Sequence, residues 1–166
     1  MFEEIRQSLV SVMSKIFATM FFLDIEPQER DKIQGSPAAL LPHLPGVEGQ
    51  SDGFMRSSIR FEGPRSGMIS LIFPAALAQL MTKNFLGRKE EEASEFQTCD
   101  MAGELANIIS GNLLPALDQK GSHSFSLPRI EPSADREVNH PGSRCGCAID
   151  FDVEGHGLQL SIFFEK

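Results

Sequence analysis

Tryptophan and tyrosine are both missing from the 166 residues, so 13 phenylalanines supply the whole aromatic complement. No apolar run approaches the ~20 residues that a membrane-spanning helix needs, which argues against an integral membrane protein. Glu3 and Glu4 open a helical pattern where a signal peptide would carry positive charge, so the expected location is cytoplasmic. Cysteine is scarce: three residues cannot all pair within one chain. Cys145 and Cys147, two apart, are expected on one face of a strand, as core rather than metal ligands. Positive charge is short as well. The net charge of -8, with no basic patch, argues against a nucleic-acid partner. His43, His123, His140 and His156 are scattered without paired spacing, which suits neither metal ligation nor acid–base catalysis. With 41% apolar and 23% charged residues, the chain reads as one soluble globular domain over residues 1–166, long enough for a sizeable core.

One stretch stands out, Cys99 to Asn112. It is apolar enough for a core helix, yet polar groups recur along it at regular spacing. At about 100° per residue, Asp100, Glu104 and Asn107 fall within roughly 60° of one another. Met101, Leu105, Ile108, Ile109 and Leu113 fall on the other side, toward a core. Asn112 points to that apolar side, where it would need buried partners. Gly103 and Gly111 border the polar strip. A glycine inside a helix costs roughly 1 kcal/mol relative to alanine, so two beside one strip suggest that something approaches that face closely. By spacing alone the strip is what any amphipathic helix shows to water.

Taken in order, residues 2 to 23 read as a long amphipathic helix on Ile5, Leu9, Val12, Met13, Ile16, Phe17 and Met20, with Glu3 and Glu4 favoured in its first turn. Pro27 to Met55 loses periodicity among prolines and glycines and is expected to be mostly irregular, with room for a helical turn at Ala38 to Leu41 and for a short edge strand. Ser57 to Glu62 and Gly67 to Phe73 alternate as strands around the hairpin loop Gly63-Pro64-Arg65-Ser66. Pro74 then opens a helix with Leu77, Leu80, Met81 and Phe85 on its stripe and Gly87 at its C-terminal cap. The charged run Arg88 to Glu95 reads as a solvated loop. The central helix is expected from about Phe96 to Lys120, with a kink or break near Gly111 caused by Pro115. Strands follow at about Ser122 to Arg129, Arg144 to Val153 and Gly157 to Glu165. Ala134 to Ser143 is a surface loop, and Glu154-Gly155-His156-Gly157 a hairpin turn.

The run Asp100-x-x-x-Glu104-x-x-Asn107, continuing into Ile108-Ile109-Ser110-Gly111-Asn112, resembles the signature helix of the CheC/CheX/FliY phosphatases of bacterial chemotaxis: Asp or Ser, three residues, Glu, two residues, Asn. A single copy in a chain of this length is most similar to CheX. Val12 to Pro27 resembles the opening helix and exit of CheX-type proteins. The hairpin followed by a helix fits the same pattern, and Pro128 matches a proline of the strand after the signature helix. The family pattern lacks the proline at position 115.

Pattern and resemblance together give an α+β fold: a predominantly antiparallel sheet of about five strands, with helices packed on one face and the N-terminal and signature helices side by side. The resemblance implies hydrolysis of the aspartyl phosphate of a CheY-like response regulator. The regulator would supply the aspartyl phosphate, its Mg²⁺ and a lysine, and this chain would bind no cofactor or metal. A carboxamide can hold a water in line with phosphorus without becoming charged, as the water-positioning Gln of GTPases does, which makes Asn107 the catalytic candidate. Glu104 would pair with the regulator's lysine. Asp100, with Gly103 and Gly111, would contact the partner, or Asp100 would simply cap the helix. Two alternatives stand beside this: a non-catalytic regulator-binding or flagellar-switch adaptor of the same fold, and an unrelated hydrolase using Asp100 and Glu104 as paired carboxylates. The resemblance also implies a homodimer through the sheet. The final strand, Gly157 to Glu165, carries charge only at its end and is expected to be the unprotected edge that pairs.

Overall fold

The computed structural model describes residues 2–28, 53–88, 90–118, 121–133 and 143–165. The segment within Pro27 to Met55, the turn at Ala38 to Leu41, His43 and His140 lie wholly or largely outside these residues, as does most of the Ala134 to Ser143 loop. The elements are α1 (Phe2–Ile16), a π-helical turn (Phe17–Phe21), β1 (Ile25–Pro27), β2 (Phe54–Glu62), β3 (Gly67–Pro74), α2 (Ala75–Leu86), α3 (Glu95–Leu117), β4 (Ser124–Phe125), β5 (Arg129–Ser133), β6 (Ser143–Val153) and β7 (His156–Glu165).

Among the described residues the sheet is antiparallel at every pairing and has seven strands rather than about five, in the order β1-β6-β7-β3-β2-β4, with β5 also on β2. The excess comes from β1, too short to show alternation, and from the region of the expected Ser122 to Arg129 strand, where only Ser124–Phe125 (β4) and Arg129 are strand and a separate β5 runs on from Arg129 to Ser133. The expectation that Gly157 to Glu165 forms an exposed edge is overturned. β7 pairs with β3 on one side and β6 on the other, so it is an interior strand. Its near-continuous burial, from Gly157 to Phe163, explains why it carries so little charge.

Local chemistry sets most of the element ends. The β6–β7 hairpin turns at Glu154 and Gly155, both with positive φ (49° and 85°), the geometry of a two-residue turn that matches strand twist. Gly87 closes α2 in the left-handed region at φ 67°, and its N–H reaches the Asn84 carbonyl. The register shifts between Cys145 and Cys147, so the simple alternation expected across the two cysteines is broken there by a bulge at Gly146. Cys147 packs partly buried against the core, in keeping with its expected place, and the Cys145 side chain lies outside the described residues.

One apolar core joins the helices to the sheet. Leu9, Met13 and Ile16 of α1, Leu77 and Met81 of α2, and Met101, Leu105, Ile109 and Leu113 of α3 meet Ile59, Phe61, Ile69, Leu71, Phe151, Leu160 and Ile162 from the strands. α3 packs beside α1 and α2 and lies over β2, β3 and β5. Among the described residues, no helix is long and apolar enough to cross a membrane.

Candidate functional site

The site helix α3 begins one residue earlier than expected because Ser94 caps it. The Ser94 hydroxyl accepts from the Gln97 N–H at 3.2 Å, and the Gln97 side chain accepts from the Ser94 N–H at 3.0 Å. This reciprocal pair is spelled Ser94-x-x-Gln97 in the sequence, a signal that the pattern reading passed over. The preceding residue is fixed as well, since Gln79 of α2 both donates to the Ala93 carbonyl (2.8 Å) and accepts from its N–H (2.9 Å).

The helix runs on to Leu117, so the break expected near Gly111 from Pro115 does not occur. Proline withholds the N–H that would bond the Gly111 carbonyl. Both residues are on the exposed side, where water can satisfy that carbonyl. Only two residues of helix remain beyond the proline, and the Asp118 N–H closes them on the Leu114 carbonyl at 3.0 Å.

Within this helix Met101, Leu105, Ile109 and Leu113 are buried and Ile108 is partly buried, as the spacing predicts. Asp100, Glu104 and Asn107 are all exposed on the outer side. Among the described residues none of the three has a hydrogen-bond or ion-pair partner. Glu104 and Asn107 are separated by about 4.5 Å of helix rise. Asn112 departs from its expected burial. It is exposed, and its amide donates to the Ile108 carbonyl at 2.7 Å, so its own helix satisfies it.

The two glycines differ. A Cβ at Gly103 would sit 3.7 Å from Pro128 and 3.9 Å from Ile130, so β5 borders the strip there at ordinary contact distance. A Cβ at Gly111 would meet nothing within 4 Å. Pro128, matched by resemblance, thus comes beside the polar strip. Sequence reasoning missed Ser57, for which no pattern gave a signal. This residue of β2 is fully buried and its hydroxyl donates to the Ala102 carbonyl at 2.8 Å, tying the sheet to α3 between Asp100 and Glu104.

The strip is an open surface. A cavity of about 220 Å³ lies elsewhere, at the C-terminal end of α3, lined by Phe61, Arg65, Leu114, Leu117, His123 and Phe164 among others. Among the described residues no group of three or more His, Cys, Asp or Glu side chains is placed to hold a metal. Among the described residues Asp100 and Glu104 belong to no such group, so nothing of that kind supports paired-carboxylate hydrolysis there. Cys99, next to the strip, has its thiol pushed up by burial and secondarily by Glu95, so it stays protonated and unreactive near neutrality. An exposed carboxylate and carboxamide one turn apart suit a macromolecular partner that brings its own reacting group.

Comparison with known proteins bears on which partner that is. No curated protein matches the sequence. The fold matches a CheX chemotaxis protein from Desulfovibrio desulfuricans (TM-score 0.75, 20% identity, 98% of this chain and 99% of that one). It also matches CheX from Vibrio vulnificus (TM-score 0.73, 19% identity, 99% of each chain). A third match is to the CheX–CheY–BeF3–Mg²⁺ complex from Borrelia burgdorferi (TM-score 0.64, 14% identity, 97% of each chain). At these identities the likeness establishes the fold. The sequence model of chemotaxis phosphatase CheX matches residues 55–152, more than half of the chain and the whole of α3. The chain belongs to the CheX family.

Proposed function

We propose that this chain accelerates hydrolysis of the aspartyl phosphate on a CheY-like response regulator. The observation that carries the reading is the pair Glu104 and Asn107, both exposed and one turn apart on α3, in a chain of the CheX family. The Borrelia burgdorferi relative is a complex with CheY and BeF3, a phosphoryl mimic, which supports a phosphorylated receiver as the partner.

In this reading α3 lies against the phosphorylation site of the regulator. Glu104 pairs with a cationic side chain there and sets the register. The Asn107 carboxamide accepts from and donates to one water, holding it in line with phosphorus. Water adds to phosphorus, the bond from phosphorus to the aspartyl oxygen breaks, and inorganic phosphate and a free aspartate leave. Mg²⁺, held by the regulator, neutralises charge on the phosphoryl oxygens. Asp100 contacts the partner at the upstream end of the strip, and the open space at Gly111 admits the partner's backbone. The location is cytoplasmic, where such regulators act. We also propose a homodimer through the sheet. With β7 interior, the pairing strand must be an outer one, β1 or the β4–β5 side. A solution mass of twice 18.3 kDa by light scattering supports the dimer, and a mass of 18.3 kDa overturns it.

The test of the catalytic reading is the decay of phosphorylated regulator with wild type and Asn107→Ala. A water-orienting group acts in the transition state, so turnover should fall by about 100-fold or more while affinity for the BeF3-loaded regulator holds. Near-wild-type turnover in the variant removes Asn107 from the mechanism.

A further inference from the structure

The polar strip does not end at Asp100. Phe96 sits on the same line of α3, about 20° from Asn107 on the wheel and about 6 Å upstream of Asp100 along the axis. Its side chain is 80% exposed. A second large apolar residue, Leu127, is 89% exposed. Its position follows from the packing. Ala102 lies over Ser57, while Leu114, Leu117 and Asp118 gather with Phe61 and His123, so α3 runs in the direction of β2. β5 runs opposite to β2, and Pro128 abuts Gly103. Leu127, one residue before Pro128, therefore lies on the Asn107 side of Gly103. One exposed apolar residue stands at the upstream end of the acidic strip and the other beside its downstream half.

Neither residue is on a loose tip. Phe96 is in the first turn of α3, locked by the Ser94–Gln97 capping box and by the paired hydrogen bonds from Gln79 to Ala93. Leu127 is held through its neighbour: the Ser126 hydroxyl accepts from the Arg60 N–H at 3.0 Å, and the Ser126 N–H donates to the Arg60 carbonyl at 2.9 Å. Presenting exposed aromatic and aliphatic side chains on a held backbone buries nothing and adds nothing to folding. It does lower the ordering cost of a complex that buries them. Buried apolar anchors around a charged centre are also where interface energy concentrates.

We infer that Phe96 and Leu127 are the apolar anchors with which this chain grips the phosphorylated receiver domain. The inference rests on the proposed function and adds the partner's requirement: apolar surface within about 15 Å of its aspartyl phosphate, on either side of a cationic group. The occupant is argued from charge and continuity. Asp100 and Glu104 make the exposed face of α3 acidic between the anchors, which matches a cation flanked by apolar surface. The span from Phe96 to Asn107 is about 16 Å, well inside the roughly 28 Å edge of a square patch of the roughly 800 Å² that one partner of a standard interface contributes.

The test measures binding to the BeF3-loaded, Mg²⁺-bound CheY-type receiver of the same organism, together with KM and kcat on the phosphorylated form. Phe96→Ala keeps the helix, because alanine is the better helix former. It should weaken binding and raise KM by about 10-fold, with kcat within a factor of about 2 of wild type. Phe96→Leu should restore most of the affinity. Leu127→Ala should weaken binding by about 5-fold. Phe22→Ala, which removes a side chain 75% exposed at the end of the π-helical turn, should leave both constants unchanged. Affinity unaltered in Phe96→Ala and Leu127→Ala, alongside turnover lost in Asn107→Ala, overturns the anchors and leaves the proposed function standing. An equal loss in Phe22→Ala also overturns the anchors. A wild type that neither binds the receiver nor speeds decay of its phosphate overturns both.

Discussion

Gly111 allows stability and partner binding to be separated by one methyl group. It lies inside α3, exposed, with ordinary negative φ and open space where a Cβ would stand. Alanine there should therefore return the helix-propensity difference in full, about 0.8–1.0 kcal/mol. For a chain of this size that is about 2–4 °C in Tm. Gly103→Ala should gain a similar amount, since its methyl would lie at 3.7 Å from Pro128, which is contact without overlap. The two sites are about 12 Å apart along the axis, so the double variant should gain about 2 kcal/mol. Thermal melts followed by far-UV circular dichroism read this directly. The free protein pays about 1 kcal/mol for each glycine, and close approach of the regulator is the reason offered for that cost. Both variants should accordingly bind BeF3-loaded regulator more weakly than wild type while melting higher. A lower Tm in either would show that the helix is not relaxed at that position. A higher Tm with unchanged affinity would show that nothing approaches the strip there.

Three other outcomes follow from single contacts. Ser57→Ala removes the hydrogen bond to the Ala102 carbonyl, which keeps its helical partner, so the loss should be about 1 kcal/mol by urea titration, and no loss would show that this tie is idle. Phe22 is held at φ 53°, a left-handed conformation that costs an L-residue roughly 1–2 kcal/mol. Phe22→Gly should recover that cost less the glycine entropy of about 0.5–1 kcal/mol, a small net stabilisation, and a destabilised variant would show that the exposed ring contributes packing. Glu104→Gln should weaken the regulator complex, more at low than at high ionic strength. Titration at two salt concentrations decides it, and equal affinities for wild type and variant at both would remove Glu104 from the interface.

The long periodic elements were legible because their burial is one-sided. α3 shows its buried face in Met101, Leu105, Ile109 and Leu113. The β2–β3 and β6–β7 hairpins show theirs in alternation, and Gly87 and Gly155 mark positions that need positive φ. Strands of two to five residues, such as β1, β4 and β5, are too short for a period to emerge, so the strand count came out low. The place of β7 is illegible for a different reason. Leu158, Leu160 and Ile162 alternate with Gln159 and Ser161, and such a strand with charge only at its end fits either an unprotected edge or an interior strand. Only its pairing with β3, which buries Gln159 and Ser161 as well, distinguishes them. For the site, spacing put Asp100, Glu104 and Asn107 on one face. It could not show that Asn112 bonds its own helix, nor that Pro115, close to a helix end and facing water, is tolerated. Ser57 was invisible because a serine within an alternating strand carries no mark of a carbonyl waiting above it.

The interior place of β7 shapes how the chain must fold. β2 with β3 and β6 with β7 are each local hairpins, cheap to close. The two are stitched together along one seam, β3 against β7, where Gly67 faces Phe164 nearly a hundred residues downstream. α3 lies over the first hairpin, while α1, beside α3, also reaches β6 of the second. Folding is therefore expected to wait on the meeting of two preformed halves, a long-range step that slows the reaction without weakening the product. Phe61 and Phe163 crowd Gly67 so closely that a Cβ there would come within 2.0 Å of the Phe163 carbonyl oxygen. That one residue without a side chain sets how tightly the halves can zip, and with it the barrier that the nascent sheet has to cross.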